Sequence, residues 1–209
     1  MVADRYYKEI KNIVDGLRPG DRLIVTTINS NPLTESEVLV QEEIPGFNPI
    51  RDNLVLHKKK VKKTRGAILS KVRAIVYNQS ISSEKTKIMD GLIVAGEILN
   101  SYGDHDRVLL VFTDGFEEGD HYDFVAENLS EKRTGQIIGN EKSGKRLPDL
   151  TGVRLCMTGI GVGIYGDTST EKLLSVRNFW LKYFTAAGAI VSPGSIGNPN
   201  LDIESIRSK

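Results

Sequence analysis

Segments with apolar residues at helical spacing alternate along the chain with short runs that are almost wholly apolar. Residues 4–18 place Tyr7, Ile10, Val14 and Leu17 on one face of a predicted helix. RLIVTTI, residues 22–28, follows as a short apolar strand of the kind found in parallel sheets covered by helices on both faces. EVLVQEEI, residues 37–44, is predicted to be a more exposed strand at a sheet edge.

The same alternation continues to residue 192. Helices are predicted near residues 66–78 and from about Thr86 to Asn100, and a weaker one within 119–150. A strong helix is predicted over residues 168–188, with Thr168 and Glu171 as a capping box and Gly188 as its stop. The remaining predicted strands are RVLLVFT (107–113), which is the most apolar and is expected to be central, GVRLCMTGIG (152–161) and AIVSP (189–193).

Regular alternation of helix and strand predicts an α/β fold. We expect a doubly wound, mainly parallel sheet of Rossmann-like type, with helices on both faces and right-handed crossovers. A chain of 209 residues suffices for one sizeable domain. We therefore predict a single domain over residues 1–209, with its core over about 4–192 and a turn-rich C-terminal tail over 193–209.

Composition narrows the class of protein. The net charge is only +1, so bulk charge points to neither nucleic acid nor a membrane surface. The single cysteine, Cys156, excludes an internal disulfide and a cysteine-built zinc site. No apolar run approaches the roughly 20 residues that span a bilayer, and the N-terminus has no segment of the signal-peptide kind. We expect a soluble, cytoplasmic protein with no membrane partner.

The most apolar predicted strand ends on a carboxylate, Asp114. In open α/β sheets, ligands bind outside the carboxyl ends of the strands, and Thr86 opens the helix that leads into this strand. A hydroxyl and a carboxylate at this edge suit a hard divalent cation such as Mg²⁺ or Mn²⁺. The alternative is that Asp114 and Gly115 form an ordinary turn and that Thr86 is a helix cap.

Four segments in order resemble the von Willebrand factor type A domain family. They are YKEIKNIVDGLRPGDRLIVTTI, KTKIMDGLIVAGEIL, RVLLVFTDG and VRLCMTGIGVG, and the resemblance extends from Asp4 to about Ser192. It implies a non-enzymatic protein-binding module with a metal-ion-dependent adhesion site. Thr86 and Asp114, the latter through a bound water, would contribute to a Mg²⁺ or Mn²⁺ site that a carboxylate of a protein partner completes.

One departure from the family concerns its main metal motif, Asp-x-Ser-x-Ser, which ends the first and central strand. Here the first helix begins almost at Met1, and neither that strand nor the motif precedes it. We expect either that the chain is a fragment, or that a segment from elsewhere supplies the strand. In a third possibility the two flanking strands pair directly and the metal site is lost.

A basic run is the strongest local charge feature of the chain. It comprises Lys58, Lys59, Lys60, Lys62, Lys63 and Arg65. The run suits a phosphate backbone or an acidic partner, although such a run is also typical of a solvated loop.

The stretch from Val108 to Glu131 carries seven acids and neither Lys nor Arg. Opposed patches favour a charged partner or a second copy of the chain, and a basic-patch adaptor in a nucleic-acid-associated complex is the alternative function.

A nucleotide-dependent enzyme is the third hypothesis. GVGIYG, residues 161–166, matches the G-x-G-x-x-G fingerprint between a predicted strand and helix, but no acid follows about 20 residues on. The alternative is that these glycines only allow a tight turn. No nucleophile is paired with a base at a recognisable spacing, and we therefore expect no enzyme activity.

Overall fold

The computed structural model describes residues 2–77, 85–162, 168–197, 199, 201 and 203–207. The coarse prediction of a mixed α/β fold is confirmed. The helices are α1 (Val2–Gly16), α2 (Pro32–Glu35), α3 (Leu54–Val76), α4 (Ile88–Asn100), α5 (Glu131–Ser143), α6 (Thr170–Ala186) and α7 (Ile203–Arg207). The strands are β1 (Arg22–Thr26), β2 (Val38–Glu43), β3 (Val108–Phe112), β4 (Arg154–Thr158) and β5 (Ile196–Gly197).

The first two strands form a two-stranded antiparallel sheet. The prediction that RLIVTTI belongs to a parallel sheet is therefore wrong for β1. Arg22 lies opposite Glu43 in the register, and their side chains form an ion pair of 2.7 Å. On β2, buried Val40 is followed by exposed Gln41, as expected when one face of an antiparallel sheet meets water.

The other three strands form a parallel sheet in the order β3-β4-β5. Val108 pairs with Arg154 and Phe112 with Thr158, while the two residues of β5 pair with Met157 and Thr158. RVLLVFT was predicted to be the central strand, but among the described residues β3 has β4 as its one neighbour. The predicted strand AIVSP is reduced to a bridge between Ile190 and Arg154.

The chain divides into two compact units, each with its own core. The first contains the described parts of residues 1–27, 37–82 and 201–209, and the second those of 28–36 and 83–200. The core of the first unit consists of Val14, Leu17, Val40, Ile44, Ile68 and Val72. The core of the second is built around aromatic residues of α6, namely Phe179, Trp180, Tyr183 and Phe184, with Phe124. The single-domain expectation stays a prediction.

Helix α3 differs most from its prediction, because it begins at Leu54 rather than near residue 66 and contains the whole basic run. The side chain of Asn53 caps it by accepting hydrogen bonds from Val55 N (2.9 Å) and Leu56 N (3.2 Å). Lys and Arg are good helix formers, and buried His57, Ile68 and Val72 follow one face. The interpretation of this run as a solvated loop is wrong.

The last elements also differ in detail from the pattern. Ser169, not Thr168, caps α6 by accepting a hydrogen bond from Lys172 N at 3.1 Å, and Gly188 follows the helix with φ +83°. The tail predicted as turn-rich contains β5 and α7. Within the described ranges, no helix has both the length and the apolar character needed to cross a bilayer.

Candidate functional site

Three loops meet at the carboxyl ends of the parallel strands. Asp114 lies just beyond β3, Gly159 and Gly161 follow β4, and Gly197 ends β5. The N–H of Gly161 donates to the carbonyl of Asp114 (2.9 Å), and the N–H of Gly159 donates to that of Gly197 (3.0 Å). These backbone bonds hold the strand ends together at the edge where α/β sheets place ligands.

Asp114 itself forms a turn at this edge. Its Oδ1 accepts a hydrogen bond from the N–H of Phe116 at 3.0 Å, which is the geometry of an Asx turn. Burial raises the pKa of Asp114, while the Phe116 N–H and the Thr113 hydroxyl act in the opposite direction by binding the carboxylate. The turn interpretation of Asp114 and Gly115 thus describes the local backbone.

Gly115 fixes the direction of the loop after Asp114. Its φ is +85°, and a Cβ here would lie 3.1 Å from Ile160 Cγ1 and 3.2 Å from Val176 Cγ1. Its carbonyl accepts a hydrogen bond from the buried indole of Trp180 at 2.8 Å. Only glycine satisfies both the backbone conformation and the close packing against α6.

Thr86 lies beside the same loop but does not open a helix. Helix α4 begins at Ile88, its N-cap residue is Lys87, and the side chain of Lys87 makes no capping bond. The carbonyl of Thr86 accepts a hydrogen bond from the N–H of Glu118 at 3.0 Å. Among the described residues, no hydrogen bond joins the Thr86 side chain to Asp114. The structure therefore places Thr86 next to the loop that follows Asp114, and the contact between them is a backbone hydrogen bond.

Glu117 is the residue that the sequence pattern missed. Its side chain is buried, and its Oε2 accepts a hydrogen bond from the N–H of Met89 at 2.9 Å in the first turn of α4. Burial raises the pKa of Glu117 to about 8, with nearby Asp90 adding to the shift and the N–H groups of Met89 and Ile88 opposing it. Glu117 thus caps α4 from another part of the chain, because α4 lacks a local side-chain cap.

Other acids near Glu117 are engaged in local contacts. Lys87 Nζ lies 2.6 Å from Asp120 Oδ2, and this hydrogen bond lowers the pKa of Asp120. Asp123 Oδ1 accepts from Val125 N at 2.8 Å and from Ala126 N at 3.2 Å. Burial raises the pKa of Asp90, against the attraction of Lys87. The acidic stretch is therefore partly neutralised by its own surroundings.

Asp114 and Thr86 are the two predicted metal ligands, and oxygen donors of this kind suit Mg²⁺ or Mn²⁺. Within the described part of the chain, no group of three or more His, Cys, Asp or Glu side chains could hold a metal ion. The Oδ1 of Asp114 already accepts a hydrogen bond from the N–H of Phe116. The described residues do not by themselves form a complete metal site.

The predicted basic patch lies on α3, in the first unit. The five lysines, Lys58, Lys59, Lys60, Lys62 and Lys63, are exposed. Arg65 is half-buried, and its guanidinium donates a hydrogen bond to the carbonyl of Leu17. Arg65 thus anchors α3 to the end of α1, while the lysines face solvent.

The nucleotide fingerprint falls largely outside the described residues. Of GVGIYG, Gly161 and Val162 are described, and Gly161 has φ +76°, in agreement with a tight turn at the sheet edge.

Comparison of the chain with protein-family models, with curated proteins and with solved structures found no match.

Proposed function

We propose that the chain is a protein-binding module of the von Willebrand factor type A kind, which binds its partner at the sheet edge that carries Asp114. The observation that supports this most is the joining of the strand-end loops. Backbone hydrogen bonds join Asp114 to Gly161 and Gly159 to Gly197. The ends of β3, β4 and β5 therefore form one continuous edge. Such an edge is where open α/β sheets place their ligands.

The grouping of the strands supports the doubly wound part of the proposal. A common doubly wound order is 3-2-1-4-5-6, which without strand 1 leaves one group of two strands and one of three. The chain has a three-stranded parallel group, β3-β4-β5, and a two-stranded group, β1-β2, whose antiparallel pairing departs from a wholly parallel order. Strand β3 is wholly apolar, and among the described residues β4 is its one paired neighbour.

A divalent cation at this edge would need ligands beyond Asp114 and Thr86. A carboxylate of the partner protein, or a strand that the described residues do not include, would supply them. The cation would link the two proteins through hard oxygen ligands. What this chain contributes is an Asp114 carboxylate held in place by Phe116 N and Thr113.

Paramagnetic broadening by Mn²⁺ tests this proposal, because it detects weak binding by the isolated chain. Amide signals would be recorded during titration with Mn²⁺ into the millimolar range and again after EDTA. We expect broadening centred on Thr86 and on residues 114–116, reversed by EDTA. Asp114→Asn, which keeps an oxygen acceptor for Phe116 N, should abolish the effect.

Asp123→Asn is the matched control, since Asp123 also accepts backbone hydrogen bonds in an exposed turn. This variant should broaden like the wild type. Broadening that centres on other acids, or equal loss in both variants, would reject a cation site at Asp114. A complete lack of broadening would exclude the cation-dependent form of the proposal.

A further inference from the structure

A groove of about 750 Å³ runs along α3 within the first unit. Four apolar side chains contribute to its lining, from the loop before α3 and from three turns of the helix: Phe47, Leu54, Val61 and Leu69. The ring of Phe47 lies 4.9 Å from that of buried His57, which fixes one wall. The groove therefore has a largely apolar lining on α3 and the loop before it.

Cations line the same groove at helical spacing. Lys58, Lys62 and Arg65 recur at four and three residues, so they share one face of α3. Lys58 and Lys62 are exposed and form no ion pair within the described residues, whereas Arg65 is bonded to Leu17. Asp15, which also lines the groove, is paired with Lys11 at 2.6 Å. Two cations thus remain available to a ligand.

The start of α3 adds a further apolar surface. Ile50 is 93% exposed, and Leu54, which also lines the groove, is 53% exposed. Single apolar residues at a surface are ordinary, but exposed apolar residues beside a groove that carries cations are typical of a protein interface. These exposed residues, the cations of the groove and its four apolar side chains all belong to one stretch of the chain, residues 47–69.

We propose that this groove binds an acidic amphipathic helix of a partner protein. A helix that presents apolar residues at i, i+3, i+4 and i+7 fills an apolar groove, and its acids at the flanking positions reach Lys58 and Lys62. Nucleic acid fits less well, since the two rings that line the groove, Phe47 and buried His57, contact each other and are not arranged as a row of free stacking platforms. A flat bilayer surface would not reach the floor of a concave groove. The site is separate from the edge at Asp114 and requires no cation.

A designed peptide serves as the probe. It has about five helical turns, roughly 18 residues, with Leu and Phe at helical spacing and Glu beside them. Two control peptides have either the same composition in scrambled order or Lys in place of Glu. Fluorescence anisotropy should show binding of the acidic helix alone, weakened by salt and unchanged by EDTA. Indifference to EDTA separates this site from the proposed cation site.

Charge reversal on two neighbouring faces of α3 tests the position of the site. Lys58→Glu with Lys62→Glu changes the groove, and we expect affinity to fall by about tenfold or more. Lys59→Glu with Lys63→Glu makes the same change of net charge on lysines that do not line the groove, and should cost no more than about threefold. Circular dichroism confirms that both variants remain folded.

Leu54→Ser and Val55→Ser test the apolar lining of the groove with a matched pair of variants. Both side chains are more than half exposed, so neither change should disturb folding, but only Leu54 lines the groove. Leu54→Ser alone should weaken binding. Equal effects of the two charge reversals would overturn the proposal, because they would show net attraction without a groove. So would tighter binding of single-stranded RNA or of phosphatidylserine vesicles that Leu54→Ser leaves unchanged.

Discussion

The side-chain carboxyl group of Glu117 accepts a hydrogen bond from the backbone N–H of Met89 at 2.9 Å. A loop residue after β3 thus caps the first turn of α4, 28 residues earlier in the chain. This contact ties the loop that contains Asp114 to the helix that precedes it. Thr86 lies just before α4, and Asp114 lies in the same loop as Glu117. The arrangement of the candidate site at the sheet edge therefore depends on this contact.

Replacing Glu117 should therefore destabilise the second unit. Glu117→Ala leaves N–H groups of α4 without an acceptor in a buried place, and we expect a loss of about 1–3 kcal/mol in the free energy of unfolding. Urea denaturation followed by circular dichroism measures it. Glu118→Ala, at the less buried neighbouring position, should change stability by less than about 0.5 kcal/mol. Equal losses would show that Glu117 is not the cap.

The same carboxyl group should make stability depend on pH. Burial raises the pKa of Glu117 from 4.5 to about 8. Between these pH values the folded protein keeps a proton that the unfolded chain has released, so the free energy of unfolding decreases as the pH rises. The decrease contributed by this group is up to about 1.4 kcal/mol per pH unit.

Comparison with Glu117→Gln isolates this contribution, because the pKa values of Asp90 and Asp114 are also raised. Urea unfolding between pH 5 and pH 8 should show a flatter profile for the variant than for the wild type. Parallel profiles would mean that Glu117 titrates normally in the folded protein.

Two glycines should respond in opposite directions to alanine. Gly115→Ala forces a Cβ onto a backbone with φ +85° and within 3.2 Å of Ile160 and Val176, and should cost about 1–3 kcal/mol. Gly135→Ala, inside α5 with open space around the added Cβ, should stabilise by about 0.5–1 kcal/mol. The fluorescence of Trp180, the only tryptophan, should shift in the first variant, since its indole is bonded to Gly115. A neutral Gly115→Ala would contradict the tight packing of this turn.

Two buried tyrosines also form a matched pair. Tyr122 donates a hydrogen bond to Glu141 at 2.9 Å, so Tyr122→Phe should lose about 1–3 kcal/mol. The hydroxyl of Tyr183 is buried with no hydrogen-bond partner among the described residues, so Tyr183→Phe should be neutral or stabilising by up to about 1 kcal/mol. Thermal unfolding compares the two variants, and a large loss in Tyr183→Phe would reveal a partner for that hydroxyl.

The position of most helices and strands could be predicted from the sequence. Val14 and Leu17 are buried as their helical spacing predicts, and the apolar runs at β3 and β4 are strands. The extent of α3 could not, because a lysine run has the same composition in a solvated loop and on the exposed face of a helix. The deciding signals were the cap at Asn53 and the buried positions His57 and Ile68.

The candidate site was only partly predictable. Asp114 lies at the end of a strand and in a turn, as an Asp-Gly pair after an apolar run indicates. The role of Glu117 had no local signal, because Glu117 and Glu118 are adjacent and chemically identical. Only the packing of this loop against α4 buries one of them and leaves the other nearer to solvent.

Local periodicity was thus enough to establish the mixed α/β class and the face of the first helix segment that carries Val14 and Leu17. It is enough because the spacing of apolar side chains depends on neighbours within two turns or a few strand residues. Tertiary structure alone decided that β1 pairs antiparallel with β2, that Ile196 and Gly197 complete the parallel sheet, and that Glu117 caps α4. These outcomes depend on hydrogen bonds and burial between residues far apart in the chain, which no short window of sequence contains.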